Sequence, residues 1–472
     1  MADRPRIVVL GGGPAGVGAA YRLRETDRAD VVVLESRDDV GGNAGSFELH
    51  GQPVDYGSHR LHPACDPAIL ADIESLLGES LLTRPRHGRI RLRGKWVHFP
   101  LKPVDLVLRL DRGFALKAVR DAVTRSLPGG RDAGDTFASV LRAALGPAIC
   151  DDFYFPYARK IWGRDPGELS AIQARRRVAT NSFGKLFRKV LGQLPGVKPV
   201  GFSHFHYPRD GYGAISRAYA DAAVQTGADL RLERRVTGVE RRDGGWRVMA
   251  ASSGGAESHD ADLVWSTIPI TGLARMIAPP PPAAVLDAAA GIRYRQMLLV
   301  YLTLDRERYT EFDAHYFPAL DVAITRLSEP KNYAAVGVPA GRTTLCAELP
   351  CSLDDDVWDL PDEELGRRVA TDLETVGLPS PDPLIGVHVR RLKFAYPIYE
   401  IGYEEHFAAL DAWATGLDGV LTFGRQGLFA HDNTHHALAM AYAAVECLGA
   451  RGFDDACWAG YRRVFATHVV ED

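Results

Sequence analysis

The stretch RIVVLGGGPAGVGAAYRLRE, at 6–25, constrains the fold more than any other part of the chain. Four consecutive branched or apolar residues read as a buried strand, the glycines as a turn, and the alanine-rich remainder as a helix. Gly11, Gly13 and Gly16 make the pattern G-x-G-x-x-G, with Pro14 and Ala15 between the last two. The first glycine permits a tight turn, the second lets backbone approach a pyrophosphate, and the third lets helix and strand pack closely. A second apolar run, DVVVLE, follows and ends in Glu35, near the distance of about 20 residues at which a carboxylate meets a ribose hydroxyl. That context makes the pattern a dinucleotide-binding unit.

Beyond Glu35 come Ser36, Arg37 and a second glycine pair, Gly41 and Gly42, then Asn43. An arginine and a glycine doublet at that place suit a ligand extending further along the crevice, so the expected cofactor is FAD rather than a dissociating NAD. The segment that follows carries His50, His59 and His62. A metal site there would have to recruit Asp55 or Cys65 as a third ligand, and zinc demands three or four converging donors. The expectation is no metal, with His50 facing solvent.

Bulk properties bound the rest. The 472 residues carry a formal net charge of -4, which offers nucleic acid no general attraction. Six cysteines, none in a C-x-x-C pair, fit a reducing compartment. The N-terminus lacks a signal-peptide core, and the apolar segment ALAMAYAAVECLGA is too short to span a bilayer. A cytoplasmic protein is expected, with no membrane span.

From 64 to 193 the pattern reads as largely helical, interrupted by a hairpin, RIRLRGKWVHFPLKP, with Gly94 at its turn. Its basic side chains meet either substrate phosphates or solvent. The segment HFHYPRDGYG places His204 and His206 on a strand-like run, and a helix and two strands follow. DLVWSTIP, at 262–269, reads as another strand. Between 293 and 391 strand-like alternation dominates (QMLLVYLTLD, TTLCAELP, IGVHVRRLKFAYP), implying a mixed sheet. The last part, VLTFGRQGLFAHDNTHHALAMAYAAVECL, reads as strand, glycine turn and helix.

Several of these motifs together resemble one group. They are GGNA at 41–44, G-x-H-x-x-H at 57–62, RKIWG at 159–163, GYG at 211–213, TRLSEPK at 325–331, AYPIY at 395–399 and FGRQG at 423–427. In this order they are similar to the UDP-galactopyranose mutases and their relatives, within the amine oxidase and protoporphyrinogen oxidase superfamily of flavoproteins. The resemblance implies an α/β architecture: a Rossmann-type FAD-binding domain with a discontinuous substrate domain, part helical and part mixed β-sheet. The FAD-binding domain would take 1–75, 201–272 and 396–472, the helical cap 76–200 and the substrate sheet 273–395.

The resemblance also implies roles. Gly57, Ser58 and His59 would run along the flavin, and Val236 would meet the adenine by its backbone. Gly424 and Arg425, with Asn433 and His435 on the following turn, would close over the isoalloxazine, where a helix N-terminus favours negative charge. Trp162 would contact the base of a sugar nucleotide, while Arg326 and Tyr396 would hold its phosphates. A surface salt bridge between Arg326 and Glu329 is the plainer alternative for that arginine.

Where the mutases carry Y-x-D-M-D, this chain has HDNTHH, with His431 at the tyrosine position. Two chemistries therefore stand side by side. One is flavin-dependent ring rearrangement of a nucleotide-linked or free sugar. The other is oxidation of an alcohol, amine or alicyclic substrate, with His59 or His431 as base. The expected partners are a small-molecule substrate and, as a reductant, NAD(P)H. A metal cluster of His431, His435 and His436 is the lesser reading of the same histidines.

Overall fold

Five short strands gathered from the whole length of the chain form one parallel sheet. Their spatial order is Val420–Thr422, Leu263–Ser266, Arg6–Leu10, Asp30–Leu34, Asp229–Arg231. The architecture comes from a computed structural model that describes residues 4–99, 134–177, 204–334 and 339–470, with a few positions between 109 and 121. The helical reading across most of 100–133 and across 178–193 lies outside the described residues.

The central strand Arg6–Leu10 is sheathed on both faces, and Ile7, Val8, Val9 and Leu10 have no exposed surface. That is why it reads as a continuous apolar run rather than an alternating one. Helix Pro14–Glu25 covers one face, and helix Thr434–Glu446 packs against it through Ala19, Leu23, Ala437, Met440, Ala441 and Ala444. Small residues at this contact let the two helices approach closely. The other face is covered by the sheet that contains Arg235–Arg242, Gly245–Ser252 and Gly255–Ala261, through Trp246 and Val248, with Leu273 of helix Ile270–Met276 beside them.

A second, seven-stranded sheet is mixed, because one of its pairings, Gly88–Leu92 with Ala314–Tyr316, is parallel and the others are antiparallel. Its long strands Arg293–Leu304, Thr343–Cys351 and Leu384–Ile398 coincide with the three alternating runs of the sequence. The hairpin Gly88–Leu92 and Lys95–Phe99 turns at Arg93 and Gly94, both at positive φ. It joins the edge of this sheet, rather than standing apart inside a helical cap. Its arginines are spent locally: Arg89 lies between the rings of Trp96 and Phe312, Arg91 pairs with Asp321, and Arg93 with Asp152. Leu81–Pro85, read as helical from sequence, is a strand paired with His204–Pro208.

Helical segments between Phe137 and Arg177 form a separate small core around Leu141, Phe155, Trp162 and Leu169. Lys160 fastens this layer to the sheet. Its ammonium donates to the carbonyls of Phe317, Ala319 and Ile324 at 2.6, 2.8 and 2.7 Å, which uses all three of its N–H bonds. Burial pushes its pKa down to about 7. Among the described residues no helix is long and apolar enough to cross a membrane, and all six cysteines are free thiols.

Candidate active site

A cavity of about 540 Å³ opens at the C-terminal ends of the parallel strands, the place where open α/β sheets bind ligands. Its near end is made mostly of backbone. Gly11, Gly13, Pro14 and Ala15 line it after the first strand, and Glu35, Ser36 and Arg37 after the second. Gly16 lies behind this wall, where a Cβ would come within 1.9 Å of the Gly11 carbonyl oxygen. Only glycine lets the helix start that close. Glu35 is held in place: one carboxylate oxygen accepts from Gly12 N at 2.7 Å and the other from Arg37 N at 2.9 Å. Val236 lines the same end, with Arg234 and Arg235 beside it.

In the middle, Gly42 and Asn43 face Ser58 and His59. Gly41 stands one residue back, its N–H donating to Gly12 O at 2.8 Å. Gly57 has φ +96°, and a Cβ there would lie 3.1 Å from a Glu348 carboxylate oxygen. That oxygen accepts from Ser58 N at 2.8 Å, so Glu348 pins the turn that presents His59. The His59 ring donates from Nε2 to the Tyr56 carbonyl at 2.9 Å and stacks on Tyr212. With Nε2 protonated by that bond, Nδ1 carries the lone pair. Burial lowers the imidazole pKa against the pull of Asp55, so the ring is neutral.

Asp55 is fully buried and accepts from Ser46 Oγ at 2.6 Å, Tyr207 OH at 2.6 Å and Tyr212 N at 2.8 Å. It ties the hairpin Ser46–Asp55 to the GYG turn. His50 is exposed at a turn.

The far end is made of side chains. Arg60, Arg86, Arg177, Arg326 and Arg425 line it, with Tyr157, Tyr316 and Tyr396. Arg326 pairs with Glu348 at 2.7 Å, its partner in the cross-strand register, and is raised well above the ordinary guanidinium range by that carboxylate despite burial. The expected alternative, a bridge to Glu329, does not form. Glu329 is turned inward and accepts from Tyr309 N, Thr310 N and Thr343 Oγ. Arg60, absent from the sequence expectations, is fixed by Asp313, Tyr316 OH and the Tyr333 ring. Tyr396 lies between two guanidinium groups, Arg177 at 5.3 Å and Arg425 at 5.1 Å from its ring centre. Arg425 donates to Ala395 O at 2.8 Å.

Four expectations need correcting. Trp162 is 3% exposed and sits in the helical core, touching Tyr396 and His431 by ring edges instead of lining the cavity. His431 is buried behind Tyr396, bonded through Nε2 to Gln173 Oε1 at 3.2 Å. Burial and the charges of Arg177, Arg425 and Arg176 drive its pKa well down, so it is a packed neutral ring and not a base on the cavity wall. His435 is likewise buried off the wall, against His436, and His431 does not converge with these two. Gly424 does not line the cavity but backs it, a Cβ there lying 2.7 Å from that of Ala15. Asn433 lines the wall, with its neighbours Asp432 and Thr434. Asp432 and Glu348 are the two carboxylates of this end that sequence reasoning passed over.

The wall fits a flavin. Arg425 Nε and Gln426 Oε1 are buried without hydrogen-bond partners, an unused donor and acceptor beside the N-terminal turn of helix Thr434–Glu446. A flavin pyrimidine ring offers carbonyl acceptors and an N–H donor to such a pair.

Comparisons with known proteins agree with this fold. A reduced UDP-galactopyranose mutase superposes with a TM-score of 0.80 over 99% of this chain and 100% of its own, at 20% identity. A protoporphyrinogen oxidase-like protein from Exiguobacterium does so at 0.70, over 94% and 98%, with 19% identity. Identities this low establish the fold alone. In sequence, polyamine oxidase 4 of Oryza sativa subsp. japonica is 41% identical over 80 residues, 17% of this chain and 16% of the relative. The chain thus matches less than a fifth of the length of that relative. The profile of the flavin containing amine oxidoreductases, in contrast, matches 14–413, and the chain belongs to that family.

Proposed function

We propose that the protein is an FAD-dependent enzyme whose substrate is a nucleotide-linked sugar, bound by its phosphates at the far end of the cavity. The observation that carries this reading is charge. Eight arginines and three carboxylates line the cavity, and of the two carboxylates at the far end Glu348 is already committed to Arg326. A polyamine would bring positive charge into a wall of guanidinium groups, whereas a diphosphate would be stabilised there. The five far-end arginines exceed what a flavin, whose own phosphates lie by the glycine turn, would require.

In this reading the 11–16 turn and Glu35 hold the pyrophosphate and ribose of FAD, Val236 its adenine, and Ser58, His59, Arg425 and Asn433 its ring system. Bound FAD supplies either hydride acceptance or, once reduced, a nucleophilic ring nitrogen. Arg326, prevented by Glu348 and Tyr316 from swinging away, orients a phosphate. Tyr396, clamped between Arg177 and Arg425, offers its hydroxyl to the same group. His59, neutral and with Nδ1 unprotonated, holds or takes a proton at the cavity wall. Six free thiols fit a cytoplasmic setting.

A second reading is an FAD-dependent oxidase or dehydrogenase, favoured by the family match and by the neutral His59. The arginine wall then points to an anionic alcohol or alicyclic substrate ahead of an amine. Anaerobic absorbance near 450 nm separates the two. Bleaching by a substrate alone would establish oxidation and refute the sugar rearrangement. Product from a sugar nucleotide only after chemical reduction of the flavin would establish the first reading.

A further inference from the structure

Six cysteines are spread over the molecule, and two of them share a neighbourhood. Cys65, Cys150, Cys346 and Cys351 each lie in a different hydrophobic cluster. Cys346 and Cys351 stand five residues apart on one strand, and strand alternation sends their side chains to opposite faces of the sheet. Cys447 and Cys457 instead pack in the same cluster, and their thiols hydrogen-bond to each other.

The local chain path explains the contact. Cys447 caps the C-terminus of helix Thr434–Glu446. The chain then doubles back through the short antiparallel pair Leu448–Gly449 and Gly452–Phe453, which brings Asp454 N to Cys447 O at 2.8 Å. Asp454 is the N-cap of helix Asp455–Phe465, and its carboxylate accepts from Cys457 N at 2.9 Å. Helical side chains lean toward the N-terminus of their own helix, so the Cys457 sulfur is directed back over the Asp454–Cys447 junction. Two backbone hydrogen bonds thus hold the thiols together before any covalent link exists.

The two sulfurs are unequal. Cys447 is buried, and burial with the neighbouring thiol pushes its pKa up, so it stays protonated. Cys457 is partly exposed and is the one a dissolved oxidant meets. An accessible thiol beside a second thiol is the arrangement in which a sulfenic acid is trapped as a disulfide before further oxidation. We propose that Cys447 and Cys457 form a peroxide-sensitive dithiol that closes reversibly to a disulfide. The Cys457 sulfur attacks one oxygen of hydrogen peroxide, the O–O bond breaks, and water leaves with the thiol proton, giving a sulfenic acid. The Cys447 sulfur then attacks that sulfur. The S–S bond forms, the S–O bond breaks, and the hydroxyl leaves as water with the Cys447 proton. Two thiols lose two electrons, and one peroxide is reduced to two waters. Helix Asp455–Phe465 leads into the tail whose Val470 lines the cavity, so closure anchors the segment that supplies this part of the wall.

The test treats the flavin-loaded full chain with a small excess of hydrogen peroxide, then titrates thiols under denaturing conditions and maps an unreduced tryptic digest by mass. Trypsin cuts at Arg451, between the two cysteines, so the disulfide appears as a linked pair of peptides. The expected result is loss of two of the six thiols, one linked pair carrying Cys447 and Cys457, and full recovery with dithiothreitol. Cys457→Ser should give no linked pair and keep its remaining thiols. The peptide map of the parent enzyme decides the outcome even where a variant fails to fold. Six thiols surviving treatment, Cys457 oxidised to a sulfinic acid without linkage, or the same thiol loss in Cys457→Ser would overturn the proposal.

Discussion

The two ends of the cavity are built on opposite plans. At the near end the ligand meets backbone: the glycine turn after Leu10, the start of helix Pro14–Glu25, and Glu35 at the end of the next strand, all within 30 residues of one another. At the far end it meets side chains brought together from Arg60, Arg177, Arg326, Tyr396 and Arg425. A backbone-made site is written in a short run, because the requirement is local conformation and the lack of a side chain. A side-chain-made site depends on which strands pair and in which register, so its specificity can change without disturbing the near end.

Substitutions at the two ends should fail differently. The largest effect is expected for Gly16→Ala. The new methyl has no room against Gly11 O, so the turn must open, costing more than about 4 kcal/mol and the bound flavin together. Urea unfolding and flavin absorbance would both report it. A variant that keeps its flavin would show that the turn is more pliable than the contact implies.

Next comes Glu348→Ala at the far end, which leaves Arg326 buried without its ion-pair partner. Stability should fall by roughly 3–5 kcal/mol, whereas a loss below about 1 kcal/mol would mean that Arg326 finds another partner. Arg177→Ala should be milder and selective. Affinity for a sugar nucleotide should drop roughly 10- to 100-fold, with flavin content unchanged. Equal loss of flavin would erase the distinction between the ends.

The effect that is smallest at neutral pH concerns protons. His315, buried beside Tyr316 on the strand Ala314–Tyr316, has its pKa pushed down to about 3 by burial and by Arg89. Between an unfolded value of about 6.5 and that folded value, the unfolded chain binds a proton that the folded chain does not. Stability therefore falls as pH falls through this window, by about 1.4 kcal/mol per pH unit for this one group. His315→Leu should flatten the stability profile below pH 6.5 by that slope, measured by denaturant unfolding at several pH values.

What the sequence disclosed follows the same division. The strand–turn–helix at 6–25, Glu35, the hairpin at Gly94 and the long strands of the mixed sheet were legible from spacing and alternation alone. The partner of Arg326 was not. Glu329, three residues away, looked like the natural choice, and the true partner, Glu348, lies on another strand whose register no local pattern reveals. Arg60 was overlooked because it stands between two histidines that drew attention as possible ligands. Asp432 was passed over between His431 and Asn433 for the same reason. His431 and Trp162 misled in the opposite direction: residue types suited to chemistry were placed by packing a layer behind the wall.

The parallel sheet takes its strands from 6–10, 30–34, 229–231, 263–266 and 420–422, and this order has a consequence during synthesis. The glycine turn leaves the ribosome well before most of its sheet, which gains its last strand only after residue 422. At roughly 5–20 residues per second, the wait lasts on the order of tens of seconds. The nascent chain must shield the apolar run IVVL throughout that interval, and flavin can be captured in its finished cradle only once residue 422 has been made.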